Sequence, residues 1–204
     1  MTELILASSS RYRAELLTKL DLPFTTHKPD IDERPKGREA PHALVLRLAE
    51  EKARAIAGDH KAALIIGSDQ VAVCEGEILG KPGTETRACE QLSRLSGNAV
   101  LFLTGLCLLD TAGNKTQTAV VDTIVHFRNL TAEEIRNYVS REQPLDCAGA
   151  FKSEALGIAL FDAIETTDPN ALIGLPLIEL CRMLRAVGVN VLASTAQRSA
   201  DQAS

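Results

Sequence analysis

Between Pro41 and Gly58 apolar residues recur at three- and four-residue spacing. Leu44, Val45, Leu48, Ala49, Ala53, Ala55 and Ile56 fall on one side of a helical wheel, and Arg47, Glu50, Glu51 and Arg54 on the other. Lys52 falls among the apolar set. An ammonium at such a position lies over core or cleft and needs an anion, because an unpaired buried charge is costly or gives up its proton. The bland alternative is a side chain that snorkels past the core edge to water.

The remaining pattern alternates between the two periods. Leu4 to Ala7 reads as a short strand, followed by Ser8, Ser9 and Ser10 and a helix with Leu16, Leu17 and Leu20 inward. A strand near Phe24 leads to the acidic loop Asp30 to Arg34. The apolar runs LII and VAVC flank GSDQ as a strand pair, with a bend predicted at Gly67-Ser68, and the chain turns near Glu75-Gly76 to reach Leu79. A helix over Glu85 to Leu95 precedes a hairpin, Ala99 to Leu109 and Thr116 to Phe127, joined through Gly113-Asn114. Thr131 with Glu134 forms a capping box for a helix carrying Ile135, Tyr138 and Val139. A glycine-punctuated loop then enters another strand, and Pro176 opens a last helix with Leu177, Leu180, Cys181 and Leu184 inward. Helices alternate with strands while the central hairpin is antiparallel, so the expected fold is α/β with a mixed, curved central sheet flanked by helices.

Composition narrows the function classes. At 204 residues, 45% hydrophobic and with mean hydropathy +0.01, the chain is expected to close one soluble unit over residues 1–192, with 193–204 a disordered tail. No apolar run reaches the ~20 residues of a membrane span, and the start resembles a strand rather than a leader, so a cytoplasmic location is expected. The five cysteines are odd in number and embedded in apolar segments, which reads as buried thiols. The four histidines are scattered and read as surface imidazoles, so any metal is expected to be a hard cation on oxygen ligands. A net charge of −5 without a basic tract argues against nucleic acid as a partner and leaves room for a small anion in a locally positive pocket.

Candidate chemistry gathers at a few positions. Ser8 and Ser10 sit where a strand hands over to a helix, a place for free N–H groups and hydroxyls to cradle an anion, and Arg13 one turn later adds a forked cation. Plain helix capping is the more ordinary reading of the serines, and the basic residue one turn later narrows the difference. Asp69 puts a carboxylate inside a run of strand residues, where it is costly unless it serves a cleft or a turn. Glu33 is a loop carboxylate, and Lys81 stands between Gly80 and Pro82 on a rigid frame.

Taken in order, LILASSS with Arg13, Asp32-Glu33, Glu51-Lys52-Ala53, GSDQ, Gly80-Lys81-Pro82 and GLPL at Gly174 to Leu177 resemble the Maf family of nucleoside triphosphate pyrophosphatases. The likeness runs from about Leu4 to Leu192. It implies a fold like that of the inosine triphosphate pyrophosphatases, two lobes around a cleft, a Mg²⁺ or Mn²⁺ requirement, a homodimer, and hydrolysis between the α- and β-phosphates. It also implies catalytic roles for Asp69, Lys52, Lys81 and Glu33, a metal on Asp69 and Glu33, and substrate contacts from Ser8, Ser10 and Arg13. Asp69 is the expected base. The family commonly has proline after the serines, where this chain has Arg11.

Three further residues bear on the base. Glu154 can accept paired hydrogen bonds from N1–H and the 2-amino group of guanine, a donor pair that adenine, thymine and cytosine lack. Tyr12 offers an aromatic face to a cationic N7-methylguanine. With Gln70 they resemble the branch of the family that hydrolyses N7-methyl-GTP. Each also has a structural reading: first-turn packing for Tyr12, a bond across the hairpin for Gln70, a solvated loop acid for Glu154. Rival functions are hydrolysis of another non-standard purine nucleotide such as ITP or XTP, and a non-enzymatic role in septum formation.

Overall fold

The computed structural model describes residues 2–193. In chain order the elements are β1 (Glu3–Ala7), α1 (Arg11–Thr18), β2 (Thr25–His27), α2 (Pro41–Ala57), β3 (Ala63–Cys74), β4 (Glu77–Leu79), α3 (Glu85–Leu95), β5 (Ala99–Asp110), β6 (Lys115–Phe127), α4 (Ala132–Glu142), β7 (Phe161–Thr166) and α5 (Leu177–Ala186), with short 3₁₀ turns around 150, 158 and 172. The strands form one sheet in the order β2-β1-β3-β5-β6-β7, with β4 paired to β3. β1 runs parallel to both β2 and β3, whereas β3, β5, β6 and β7 are joined antiparallel. The molecule is therefore a mixed α/β sheet flanked by helices. The residues predicted for the tail lie outside the described range apart from Ala193.

β3 organises the rest. Its alternation sends Leu64 and Ile66 into a cluster with Leu16 and Leu17 of α1 and Leu180 and Leu184 of α5. Ala63 and Ile65 face the other way, into a cluster with Ala49, Ala53 and Ile56 of α2. Farther along, Ala72 and Cys74 enter a separate cluster with α3 and α4. One strand thus crosses from one apolar core to another, and Asp69 sits on the stretch between them.

The expected bend at Gly67-Ser68 is absent. β3 continues unbroken through both residues, in register with β5 from Leu64 opposite Asp110 to Val73 opposite Leu101. The glycine serves a close approach instead: a Cβ on Gly67 would lie 1.9 Å from the carbonyl oxygen of Ala49, and one on Gly105, in β5, 2.3 Å from that of Val45. Two missing side chains let α2 lie directly on the sheet. The apolar stripe of α2 is as read except at its end, where Ala55 is exposed. Among the cysteines Cys74 and Cys107 are buried, while Cys89, Cys147 and Cys181 are only partly covered; all five are free. The imidazoles of His27 and His60 pack edge to face at 5.0 Å and are not free surface groups.

Candidate active site

The close approach of α2 decides where Lys52 points. Ala49 rests on Gly67; Lys52, a turn later on the same helix face, lies over Asp69, which shares the face of β3 with Gly67. Lys52 is 5% exposed and Asp69 8%. The Lys52 ammonium donates to Asp69 Oδ1 at 2.6 Å and lies 2.8 Å from Glu33 Oε1, so the predicted anionic partner is two carboxylates rather than one. An ammonium carries three N–H donors, and two carboxylates leave one for a further oxygen. Glu33, on the loop between β2 and α2, is held below the usual carboxylate range, first by its bond to Lys52 and then by the positive charges of Lys52, Lys81 and Arg13.

Arg13 enters the same space from α1. Its Nε donates to the carbonyl of Gly174 at 2.8 Å, and Ser68 Oγ donates to that carbonyl at 2.9 Å. Gly174 has φ 122°, a conformation L side chains rarely adopt, which accounts for the glycine of GLPL. Burial lowers the affinity of the Arg13 guanidinium for its proton, against which the charges of Asp69 and Glu33 act. The α5 end of this loop is anchored by Asp168, 2% exposed, whose Oδ2 accepts from the amides of Ile178 and Glu179 at 2.6 and 3.3 Å.

The serine turn caps the helix, as one of its two readings has it, and it also faces the cleft. Ser10 is the N-cap of α1, its hydroxyl accepting from Arg13 N at 3.5 Å, and Ser8 Oγ accepts from Ser10 N at 3.1 Å. Both residues also line the cleft. That cleft, of about 1150 Å³, is bordered by Ser8, Ser10, Tyr12, Arg13, Glu33, Lys52, Asp69, Gln70 and Lys81, of which Glu33 and Lys81 are solvent-exposed. Nine of the residues singled out in the sequence therefore meet on one surface.

Glu154 lies elsewhere, on a smaller adjoining pocket of about 140 Å³ that shares Ser10, Tyr12, Arg13, Gln70 and Lys81 with the cleft. Its carboxylate is exposed. Phe102 and Phe151 give this pocket apolar walls, meeting edge to face at 5.3 Å. Tyr12 stands between the two spaces with a cation already on its ring: the guanidinium of Arg11 is 4.8 Å from the centroid and donates to the phenol oxygen at 2.9 Å. Gln70 bonds not across a hairpin but to the neighbouring strand β5, at Thr104 Oγ1 3.0 Å away, and its NH₂ also reaches the carbonyls of Ala171 and Leu172 at 2.9 and 3.0 Å. Its NH₂ is fully engaged; the amide oxygen is what remains for a ligand.

Sequence reasoning passed over Asp146, which lines both spaces, and Lys28 and Lys152, which line the cleft. Nothing local marks them, since each is a charged residue in a polar loop or at its end. Among the described residues no cluster of three His, Cys, Asp or Glu side chains is arranged to hold a metal. The carboxylates on the cleft are those of Asp69, Glu33 and Asp146; the first two stand together on Lys52, a pair suited to a hard cation that takes its other ligands from phosphate and water. Among the same residues no helix is long and apolar enough to cross a membrane.

A mixed sheet carrying a cation-lined cleft on a serine-capped helix defines the class, and comparison with known families agrees: the chain belongs to the Maf-like protein family, whose model matches residues 3–187. A curated relative from Colwellia psychrerythraea (strain 34H / ATCC BAA-681), described as 7-methyl-GTP pyrophosphatase, is 52% identical over 193 residues, covering 95% of this chain and 96% of the relative.

Proposed function

We propose that the protein is a nucleoside triphosphate pyrophosphatase that hydrolyses N7-methyl-GTP to N7-methyl-GMP and diphosphate. The observation that carries this reading is the buried ammonium of Lys52 bridging Asp69 and Glu33 on the cleft that Arg13, Lys81 and the serine turn also line. The near full-length relative described as 7-methyl-GTP pyrophosphatase supports the choice of nucleotide.

In this mechanism the triphosphate lies in the larger cleft and the base in the smaller pocket. Lys52, Arg13 and Lys81 offset the charge that builds on the departing diphosphate, and the Ser8 to Ser10 turn holds phosphate oxygens. Water attacks the α-phosphorus, the bond to the bridging oxygen breaks, and Asp69 takes the proton. Asp69 and Glu33 would hold a Mg²⁺ or Mn²⁺ ion, which when bound neutralises phosphate charge. Glu154 accepts the N1–H and 2-amino protons of guanine, and Tyr12 lines the same pocket. Because Arg11 occupies one side of the Tyr12 ring, only the opposite face is available to a cationic base. In solution the protein is expected to be a homodimer.

The test is a panel of N7-methyl-GTP, GTP, ITP, XTP, dTTP and UTP with Mg²⁺ or Mn²⁺, with diphosphate and orthophosphate measured separately. Diphosphate release fastest from N7-methyl-GTP is expected. Faster turnover of ITP or a pyrimidine nucleotide overturns the substrate, and no release from any nucleotide overturns the activity.

A further inference from the structure

Glu33 reaches Lys52 from a segment with no regular structure, between β2 and α2, and its side chain is 60% exposed. Such a segment has many conformations in which the carboxylate faces water. Something outside the site must select this one. The immediate neighbours do part of it: Arg34 folds back on Asp32, its amide donating to Oδ1 at 3.1 Å and its guanidinium to Oδ2 at 2.6 Å, so that Glu33 stands at the apex of a tight local turn.

That turn is tied to α2 through one side chain. Arg47 forks onto Glu39, Nε to Oε1 and Nη2 to Oε2, both at 2.7 Å; its Nη1 donates to Glu51 Oε2 at 2.9 Å and its Nη2 to the carbonyl of Arg34 at 3.2 Å. It therefore grips the loop at the residue after Glu33 and again just before the helix begins. The arrangement is closed by Lys36, whose ammonium donates to Glu51 Oε1 at 2.8 Å and whose amide donates to Glu39 Oε2 at 3.1 Å. The central pair is well covered, with side chains 16% and 12% exposed for Arg47 and Glu39. Glu39 is lowered to about 2, with the bond to Arg47 the largest cause. A lysine in place of Arg47 offers one point charge and cannot reproduce a fork that holds two carboxylates and a carbonyl.

We propose that Arg47 is a positioning residue for the reaction: from the polar side of α2 it clamps the Asp30–Ala40 segment so that Glu33 stays against Lys52. This rests on the pyrophosphatase reading, in which Glu33 serves the cleft; Arg47 itself does not line it.

The experiment compares full-length wild type, Arg47→Ala, Arg47→Lys, Glu39→Gln, Glu33→Gln and the Arg47→Ala/Glu33→Gln double variant. It measures kcat and KM on whichever triphosphate the wild type turns over, amide hydrogen exchange at Arg34 and Lys36, and urea midpoints. Arg47→Ala should lower kcat by about 10- to 100-fold, the range for a misplaced catalytic group, and speed exchange at both amides. Arg47→Lys should recover only a minor part, and Glu39→Gln should move both readouts in the same direction. In the Glu33→Gln background Arg47→Ala should cost no more than about twofold further, since residues acting through one another are not additive. Equal losses in both backgrounds, or unchanged exchange at Arg34 and Lys36, overturn the proposal. Should Arg47→Ala fail to fold, Glu39→Gln decides alone, and wild-type kcat in that variant overturns it. A wild type that turns over a triphosphate other than N7-methyl-GTP removes only the substrate; one that releases diphosphate from no nucleotide overturns the clamp's catalytic purpose along with the activity.

Discussion

Replacing Lys52 by methionine keeps the reach of the side chain and deletes its charge, which isolates the electrostatic role. In the folded protein Lys52 is 5% exposed and its ammonium lies 2.6 Å from Asp69 and 2.8 Å from Glu33. Removing one partner of a buried pair costs about 3–5 kcal/mol, because the other charge is left stranded. Two features put this case near the lower bound. Arg13 acts on both carboxylates, and Glu33, at 60% side-chain exposure, can turn to water. A loss of about 3 kcal/mol at a urea slope of ~2–3 kcal/mol per molar lowers the midpoint by about 1–1.5 M. Adding Asp69→Asn to Lys52→Met removes the stranded carboxylate and should restore ~1–2 kcal/mol, a departure from additivity that only a contacting pair shows. Turnover does not follow stability. A donor aimed at charge developing in the transition state is worth about 10²–10³ in kcat, so both variants should stay impaired after stability is partly restored. Urea unfolding and diphosphate release read the two effects separately. If Lys52→Met unfolds within about 0.5 kcal/mol of wild type, the range of an ordinary surface substitution, or keeps kcat within about tenfold, the buried bridge is not what the cleft depends on.

Three further perturbations address other parts of the argument. Gly67→Ala places a Cβ 1.9 Å from Ala49 O, so α2 must move; a loss of ~1–3 kcal/mol or more together with a fall in kcat is expected, and a wild-type melting temperature would refute the close approach as the device that seats Lys52. Glu154→Ala should shift the kcat/KM ratio of N7-methyl-GTP to dTTP by ~10-fold or more, as a lost bidentate base contact costs about 1–3 kcal/mol; an unchanged ratio removes Glu154 from base reading. Glu39, whose carboxyl falls from 4.5 to about 2 on folding, contributes stability that is complete above its unfolded value and is lost as pH falls toward 2. Glu39→Gln should therefore flatten the acid side of the stability profile, measured by urea unfolding across that window, and an unaltered acid slope would place the Arg47 fork elsewhere.

Much of the fold is legible because its signals are local. The 3.6-residue stripe of α2, the Gly113-Asn114 hairpin and the Thr131–Glu134 capping box each need fewer than about twenty residues of context, and all form as their patterns require. Gly67 shows where local reading stops. A glycine inside a strand marks either a bend or a neighbouring backbone that comes too close for a side chain. Choosing between them requires knowing that Ala49 lies above it, and that contact belongs to the sheet order, with β3 between β1 and β5, rather than to the sequence around position 67.

The site divides along a related line. Lys52 and Asp69 announce themselves because each violates the pattern of its own element, a cation on an apolar helix face and a carboxylate in a buried strand, and a violation persists only where something compensates it. Each is the other's compensation, at a separation of 17 residues that no helix or strand period spans. Arg47 violates nothing. It sits on the polar face of α2, where arginine is ordinary, and forms an i,i+4 pair with Glu51 that any exposed helix could show. Its grip on Arg34 and Glu39 arises only when the preceding loop is laid against the helix, and then the same side chain is among the better covered charges in the molecule. Residues that break local rules can thus be found from sequence, while residues that obey them and act only through tertiary contact stay hidden among their peers. On that reasoning the charged residues of the Asp30–Ala40 segment and of the α2 polar face, rather than the apolar core, hold the determinants of Glu33 placement.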